Sequence, residues 1–192
     1  MKRITLICCL LVLAGSLQAQ YIANRDYIPL DVSAEATLIR ADDQVYGMTV
    51  AYGFGYYVQH SLSVGVSYRM SELGKSDIHA FERGEGWGGS LGYRYYFKAP
   101  THGLFVGARA AVWQMEYEHI DISGLSSFTE FSTVTRLFAY PEVGYRWLLP
   151  VGLQLGAAVG YGTDRTLSLE AGDEPVQERW SPTGTVSIGW KF

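Results

Sequence analysis

SPTGTVSIGWKF, the stretch from Ser181 to Phe192, alternates between small or polar and apolar side chains from Thr185 onward. Side chains on a β-strand point to opposite faces in turn, so the alternation assigns each residue to a face. One face is small and polar, and the other is apolar and ends in two aromatic residues: Val186, Ile188, Trp190 and Phe192. The stretch therefore predicts a β-strand with one apolar face.

The same two-residue period recurs in seven earlier segments, at about residues 28–39, 45–57, 62–70, 87–98, 104–112, 136–147 and 153–161. In these segments large apolar residues share one parity, and the charged residues fall on the other. An apolar outer wall around a polar interior is typical of a β-barrel in a membrane. We therefore predict an all-β fold, an eight-stranded antiparallel up-and-down transmembrane β-barrel. The alternative is a ten-stranded barrel, in which the longer loops would extend as paired ribbons.

Polar segments of two lengths connect the predicted strands. The longer loops cover residues 71–86, 118–132 and 163–180, and the short turns cover residues 41–44, 59–61, 99–103 and 148–152. Pro141 lies on the outward parity of the sixth strand, where its missing N–H cannot contribute to a ladder of hydrogen bonds. A local bulge is predicted there.

Residues Met1 to Ala19 have the features of a secretory signal peptide. Lys2 and Arg3 precede an apolar run from Ile4 to Ala14, which is too short to span a bilayer as a helix. Cleavage after Ala19 would leave a barrel domain of residues 20–192. Both cysteines, Cys8 and Cys9, would be removed, so we expect no disulfide, no thiol chemistry and no cysteine-bound cofactor.

Composition excludes two classes of protein. A helical membrane protein is excluded because no segment after residue 19 approaches the roughly 18 continuous apolar residues of a membrane helix. Without Lys2 and Arg3 the chain keeps 13 basic and 19 acidic residues, a net charge of −6. Nucleic acid is therefore not expected as a partner, because binding of phosphates requires clustered Lys and Arg.

The terminal Phe192 and the apolar residues spaced before it resemble the C-terminal signal that outer-membrane barrels present to the barrel assembly machinery. The strand pattern over residues 27–192 resembles the small barrels of the OmpA-transmembrane, OmpX and OmpW kind. This resemblance implies a location in the outer membrane of a Gram-negative cell, in contact with its lipid and lipopolysaccharide. Aromatic residues near the strand ends fit an interfacial girdle: Tyr56, Tyr95, Phe97, Trp147, Trp190 and Phe192.

Charged residues on the inward parity are candidates for a network inside the barrel. Asp31 lies near one end, and the rest of the set is Glu35, Arg69, Arg94, Arg109, Arg136, Glu142 and Arg146. An eight-stranded barrel is only wide enough for side chains, so these charges are expected to pair and fill it. A structural or surface-binding role follows from a filled lumen. The alternative is a narrow porin-like channel for small or amphipathic solutes, which would favour anions because arginines outnumber acids in the set.

The long loops are acidic and form a candidate binding face for an extracellular ligand, although a solvated surface needs no ligand. Divalent cations could bridge these carboxylates to lipopolysaccharide phosphates. No loop has the spacing of an EF-hand, so we predict no dedicated metal site.

A lipid A-modifying enzyme is the third hypothesis, and the histidines argue against it. The lipid A deacylase family carries a His-x-Ser pair, which this sequence lacks. Ser76, Asp77 and His79 share one loop and superficially resemble catalytic residues of other outer-membrane enzymes, but a triad is defined by geometry. Residues 84–89 fit G-x-G-x-x-G without the strand and helix that a nucleotide site requires. We predict no catalytic residues and no cofactor.

Overall fold

The computed structural model describes residues 30–40, 43–54, 58–74, 80–98, 101–121, 128–169 and 179–192. Eight antiparallel strands form one closed barrel in sequence order, and β1 pairs with β8 to close it. The strands are β1 (Leu30–Arg40), β2 (Asp43–Phe54), β3 (His60–Gly74), β4 (Ala80–Lys98), β5 (His102–Asp121), β6 (Phe128–Leu148), β7 (Leu153–Leu169) and β8 (Arg179–Lys191). The predicted eight-stranded up-and-down barrel is confirmed, and the ten-stranded alternative is wrong. The predicted signal peptide lies outside the described residues.

The barrel has an apolar outer wall and a polar inner face. Along β1 the inward residues Asp31, Ser33 and Glu35 are buried. Outward residues on β3 stay uncovered, with Val64 56% and Val66 60% exposed. A soluble barrel would bury such side chains, whereas a lipid bilayer solvates them. The barrel therefore spans a membrane through its strands. Within the described residues no helix is long and apolar enough to cross one.

Three strand pairs continue well into the predicted long loops. β3 extends to Gly74 and β4 starts at Ala80, where the sequence predicted a loop over 71–86. The hairpins β5–β6 and β7–β8 lengthen in the same way. Alternation fails as a signal there because exposed positions carry both polar residues and apolar ones such as Phe131, Leu167 and Trp180, while backbone pairing continues regardless of the side chains. β2 likewise begins at Asp43, inside the predicted turn.

The predicted bulge at Pro141 is wrong. Ala139 pairs with Thr163 and Glu142 pairs with Gly160, so the β6–β7 register is the same on both sides of the proline. The shift in that register lies between Thr135 and Arg136 instead. Pro141 also keeps its place opposite Ala108 on β5. An exposed proline is accommodated in this wall without an inserted residue.

The β2–β3, β4–β5 and β6–β7 connections lie at one end of the barrel, with the start of β1 and the end of β8; we call it the turn end. The opposite end, which includes the short β1–β2 connection, is the loop end. Barrels of this architecture place short turns in the periplasm and longer loops outside the cell. Leu149 to Leu153 form one turn, in which Val151 and Gly152 have φ of 78° and 82°. A Cβ on Gly152 would lie 2.7 Å from the Lys191 carbonyl oxygen, so glycine is required there.

Outward aromatic residues gather at the turn end, in line with the predicted girdle. The rings of Tyr145 and Trp147 make a tilted contact at a centroid distance of 4.8 Å, and those of Tyr95 and Phe97 make an edge-to-face contact at 5.4 Å. Trp190 also faces outward at this level. Amphipathic rings favour the boundary between hydrocarbon and headgroups. Tyr56, the remaining non-terminal member of the predicted set, lies outside the described residues.

Candidate functional site in the barrel lumen

All seven predicted lumen residues lie on the inner face. Arg136 is partly exposed, and the other six are buried: Glu35, Arg69, Arg94, Arg109, Glu142 and Arg146. Together with other charged groups, these residues form three successive layers along the barrel axis. We call these the turn-end, middle and loop-end layers.

The turn-end layer is built around Asp31 on β1. One of its carboxylate oxygens accepts a hydrogen bond from Arg146 Nη1 at 2.8 Å, and the other accepts one from Gln154 Nε2 at 3.0 Å. Lys191 Nζ donates to Thr101 Oγ1 at 2.8 Å. The guanidinium carbon of Arg146 also lies 5.2 Å from the centroid of the Tyr96 ring. This layer therefore ties β1, β6 and β7 together across the lumen.

The middle layer contains two carboxylates and two guanidinium groups. Arg109 donates to both oxygens of Glu35, through Nη2 at 3.1 Å and through Nη1. Arg94 donates to both oxygens of Glu142, at 2.6 and 3.4 Å, and its Nη1 lies 4.0 Å from Glu35. Two-point Arg–carboxylate pairs are among the strongest polar contacts in proteins. The layer joins β1, β4, β5 and β6.

The loop-end layer is centred on Arg69, whose side chain is fully buried. Arg69 Nη2 lies 2.8 Å from Asp43 Oδ2 and 2.6 Å from Asp164 Oδ2. Arg136 Nε lies 3.6 Å from the other oxygen of Asp164, and Arg136 Nη1 donates to the Tyr117 hydroxyl at 2.9 Å. The Arg69 guanidinium thus forms ion pairs with two buried carboxylates, one on β2 and one on β7.

Sequence reasoning missed Asp43, Asp164 and Lys191 as lumen residues. Asp43 and Asp164 had been assigned to a turn and a loop, although each lies on the inward parity of its extended strand. Among the described inward side chains there are seven bases and five acids, and each of these acids contacts a base. The bases are Arg40, Arg69, Arg94, Arg109, Arg136, Arg146 and Lys191, and the acids are Asp31, Glu35, Asp43, Glu142 and Asp164.

An apolar cluster also fills the lumen, which corrects the expectation of a uniformly polar interior. On β6 the buried rings of Phe138 and Tyr140 lie between Arg136 and Glu142, hence between the loop-end and middle layers. We call this cluster the aromatic layer; its buried members are Ile39, Val45, Ala111, Trp113, Met115, Tyr117, Val134, Phe138 and Tyr140. Trp113 Nε1 donates to Ser67 Oγ at 2.9 Å, and the Arg69 guanidinium lies 5.0 Å from the Trp113 ring.

Inward glycines on β4 make room for the large side chains of the aromatic layer. Gly84, Gly86 and Gly88 pair with Tyr117, Met115 and Trp113 on β5. A Cβ on Gly88 would lie 2.7 Å from Trp113 Cγ, well inside van der Waals contact. The G-x-G-x-x-G pattern is thus a packing feature of two paired strands.

A cavity of about 30 Å³ remains between the middle and aromatic layers. Its lining includes the Glu35–Arg109 pair and the rings of Trp113 and Phe138. That volume holds one or two water molecules. Within the described residues no group of three or more His, Cys, Asp or Glu side chains could hold a metal ion.

The other predicted functional residues are not in the lumen. Val186, Ile188, Trp190 and Phe192, the expected assembly signal, lie exposed on the outer face of β8 and its end. His60 lies outside the barrel, where Nδ1 is 2.7 Å from the Tyr93 hydroxyl. The segment 76–79 and most of the acidic loops are outside the described residues.

A closed eight-stranded barrel with an apolar wall and a filled interior is an outer-membrane β-barrel, and the chain is located in the outer membrane.

Solved outer-membrane barrels match this chain at low sequence identity. The N-terminal β-barrel domain of OprF from Pseudomonas aeruginosa is 17% identical, with 85% of this chain and 97% of that chain covered and a TM-score of 0.41. Ail, the attachment invasion locus protein of Yersinia pestis, in complex with sucrose octasulfate, is 9% identical, with 86% and 96% covered and a TM-score of 0.48. CarO from Acinetobacter baumannii is 13% identical, with 88% and 100% covered and a TM-score of 0.47. No protein-family model matches the sequence, and no curated protein matches it significantly.

Proposed function

We propose that this protein is a closed-lumen barrel, a rigid non-catalytic scaffold that anchors its extracellular loops in the outer membrane and does not conduct. The observation that carries the proposal is the filling of the lumen by three layers of paired charge and one aromatic layer. The cavity of about 30 Å³ between the middle and aromatic layers holds one or two water molecules, too few for a continuous path of water at that level of the described lumen.

The charge layers support a plug because their groups depend on one another. Glu35, Arg109, Arg94 and Glu142 are all buried, so a conducting state would have to separate buried ion pairs. Loss of one partner from such a pair costs about 3–5 kcal/mol. That cost disfavours spontaneous opening of the middle layer.

The aromatic layer supports the plug for a different reason. Trp113, Phe138 and Tyr140 are at most 4% exposed and occupy the lumen between two charged layers. Apolar constrictions exclude water and thereby block ions. An ion would have to cross this layer after leaving the charged groups on either side.

The narrow anion channel is the competing function, and the pairing of the charges weakens it. Seven bases face five acids among the described lumen side chains, and each of these acids contacts a base. An anion pathway would need unpaired positive charge along the axis. The positive charge of Arg69 is already paired with Asp43 and Asp164, so it is not available to a passing anion.

Solute efflux from liposomes tests the proposal. Refolded protein would be reconstituted at several protein-to-lipid ratios, with heat-dependent gel mobility to measure the folded fraction. We expect chloride and potassium efflux to remain at the level of protein-free liposomes. Efflux that rises in proportion to folded protein would overturn the closed lumen, and chloride selectivity would establish the anion channel.

The partners of the scaffold are part of the same proposal. The exposed apolar face of β8, ending at Phe192, is suited to contact with the barrel assembly machinery. The long acidic loops are suited to an extracellular ligand or to cation-bridged lipopolysaccharide. Phe192→Ala should slow membrane assembly in cells while leaving the refolded barrel stable, because the ring lies outside the packed lumen. An unchanged assembly rate would remove the role given to Phe192.

A further inference from the structure

Six aromatic side chains form a continuous patch on the outer wall of β2, β3 and β4 at the turn end. We call it the periplasmic patch; its members are Tyr52, Phe54, His60, Tyr93, Tyr95 and Phe97. His60 lies at its centre, in register with Phe54 on one side and Tyr95 on the other. Its ring centroid is 5.3 Å from each of theirs. An imidazole thus lies among lipid-facing rings.

Backbone hydrogen bonds fix this imidazole against β4. The Tyr96 N–H donates to the Gln59 carbonyl at 2.7 Å, and the Thr101 N–H donates to the Val58 carbonyl at 3.0 Å. These contacts hold the residues just before His60 onto the strand that carries Tyr93 and Tyr95. The patch is therefore a preformed surface on rigid strands, which reduces the entropy cost of binding.

The contact between His60 and Tyr93 leaves at least one donor hydrogen for an outside acceptor. His60 Nδ1 lies 2.7 Å from the Tyr93 hydroxyl oxygen. If the hydroxyl donates to Nδ1, the neutral ring carries its hydrogen on Nε2; if Nδ1–H donates, the hydroxyl hydrogen is unused. A protonated imidazole leaves both. In each case the pair keeps a donor hydrogen for which neither His60 nor Tyr93 supplies an acceptor.

The position of the patch determines which acceptors it meets. Aromatic rings at this end mark the boundary between hydrocarbon and headgroups, where lipid phosphate oxygens lie. The outward acids with described side chains, Glu85, Glu116 and Glu118, lie near the loop end of β4 and β5. At the turn end the exposed Lys98 follows Phe97 directly. The local charge therefore favours an anion at the periplasmic side.

We propose that the periplasmic patch is a binding site for a glycerophospholipid of the periplasmic leaflet. The His60–Tyr93 pair donates a hydrogen bond to the phosphate, and the rings of Phe54 and Tyr95 pack against the glycerol region and upper acyl chains. The bound lipid supplies the acceptor that the pair lacks. The site depends on the membrane position of the wall and is independent of whether the lumen conducts.

Native mass spectrometry of the folded protein, titrated with dioleoyl phosphatidylglycerol, tests this site. The double variant His60→Phe/Tyr93→Phe removes both possible donors and keeps both rings. A hydrogen bond to a charged group contributes enough that this variant should bind the first lipid about tenfold more weakly. Heat-dependent gel mobility would show that the variants remain folded.

Tyr145→Phe is the matched control, because Tyr145 lies in the same girdle on β6 and its ring makes a tilted contact with Trp147. It should leave the first lipid-binding constant unchanged. Equal affinity in the wild-type protein and the double variant would overturn the proposal, as would an equal loss in Tyr145→Phe. Glycerol phosphate, added as a competitor, should not displace the lipid at equal concentration; displacement would make this a site for soluble phosphate.

Discussion

The two halves of the lumen are closed by different physical means. Towards the short turns, Asp31, Glu35 and Glu142 each meet an arginine across the barrel, and charge pairing fills the space. Towards the loops, rings fill most of the cross-section and one arginine, Arg69, bridges two aspartates above them. The contrast teaches that a narrow interior can be closed either by partnered charge or by apolar volume. Charged layers should be sensitive to loss of a partner, and the aromatic layer to changes of volume.

Among the substitutions that test this comparison, removal of Arg69 is expected to have the largest effect on the free energy of unfolding. Arg69→Met would leave the buried carboxylates Asp43 and Asp164 without their shared partner. The free energy of unfolding should fall by about 3–5 kcal/mol. Guanidinium unfolding of the reconstituted barrel, followed by tryptophan fluorescence and gel mobility, would measure it. Arg136→Met is the control, since Arg136 is partly exposed and lies 3.6 Å from Asp164; a loss in Arg69→Met no larger than in this control would contradict the assignment.

Near-isosteric substitutions separate the two closing mechanisms. Glu142→Gln keeps the shape of the side chain but removes the charge that Arg94 contacts at 2.6 Å, and should cost about 1.5–3 kcal/mol. Met115→Leu conserves volume in the aromatic layer and should cost less than about 1.5 kcal/mol. The same unfolding assay compares them. If Met115→Leu proved the more damaging, the distinction between charge-closed and volume-closed regions would fail.

Two neighbouring glycines on β4 test the volume requirement with a smaller expected effect. A Cβ on Gly88 would clash with the backbone carbonyl oxygen of Val112 and lie 2.7 Å from Trp113 Cγ, whereas one on the outward Gly89 would meet only the Gly65 carbonyl oxygen, at 3.8 Å. Gly88→Ala should therefore destabilise the barrel by about 1–3 kcal/mol through overpacking. Gly89→Ala should change stability by less than about 0.5 kcal/mol. Equal unfolding midpoints would show that the aromatic layer can shift to accept a methyl group.

Parity in the sequence was sufficient to predict the strand number and the inward position of the charges from Glu35 to Arg146. It worked where one face meets lipid, because Val64 and Val66 then contrast with the polar residues between them. The contrast disappears near the loop end. There Trp113, Met115 and Tyr117 face the lumen, and Gln114 and Glu116 face outward. Large apolar residues therefore no longer identify the outer face.

Contacts across the lumen were beyond prediction for a different reason. Arg69 meets Asp164, which is 95 residues away in the sequence, and Arg109 meets Glu35 at a separation of 74. Parity gives a side chain its face but not its partner, because the partner depends on the register and tilt of several strands. The pairing of Gly84, Gly86 and Gly88 with three large β5 residues is the one signal of the aromatic layer that a sequence could provide once register is known.

Single-channel recording of the wild-type protein in a planar bilayer tests the closed lumen most directly. Insertion would be checked by co-flotation of folded protein with liposomes of the same lipid. We expect no steady current steps from inserted protein, because the charged layers and the aromatic layer fill the described lumen around a cavity of about 30 Å³, which holds one or two water molecules. Reproducible steps of constant amplitude from folded protein would contradict the account and would make the lumen a conducting path.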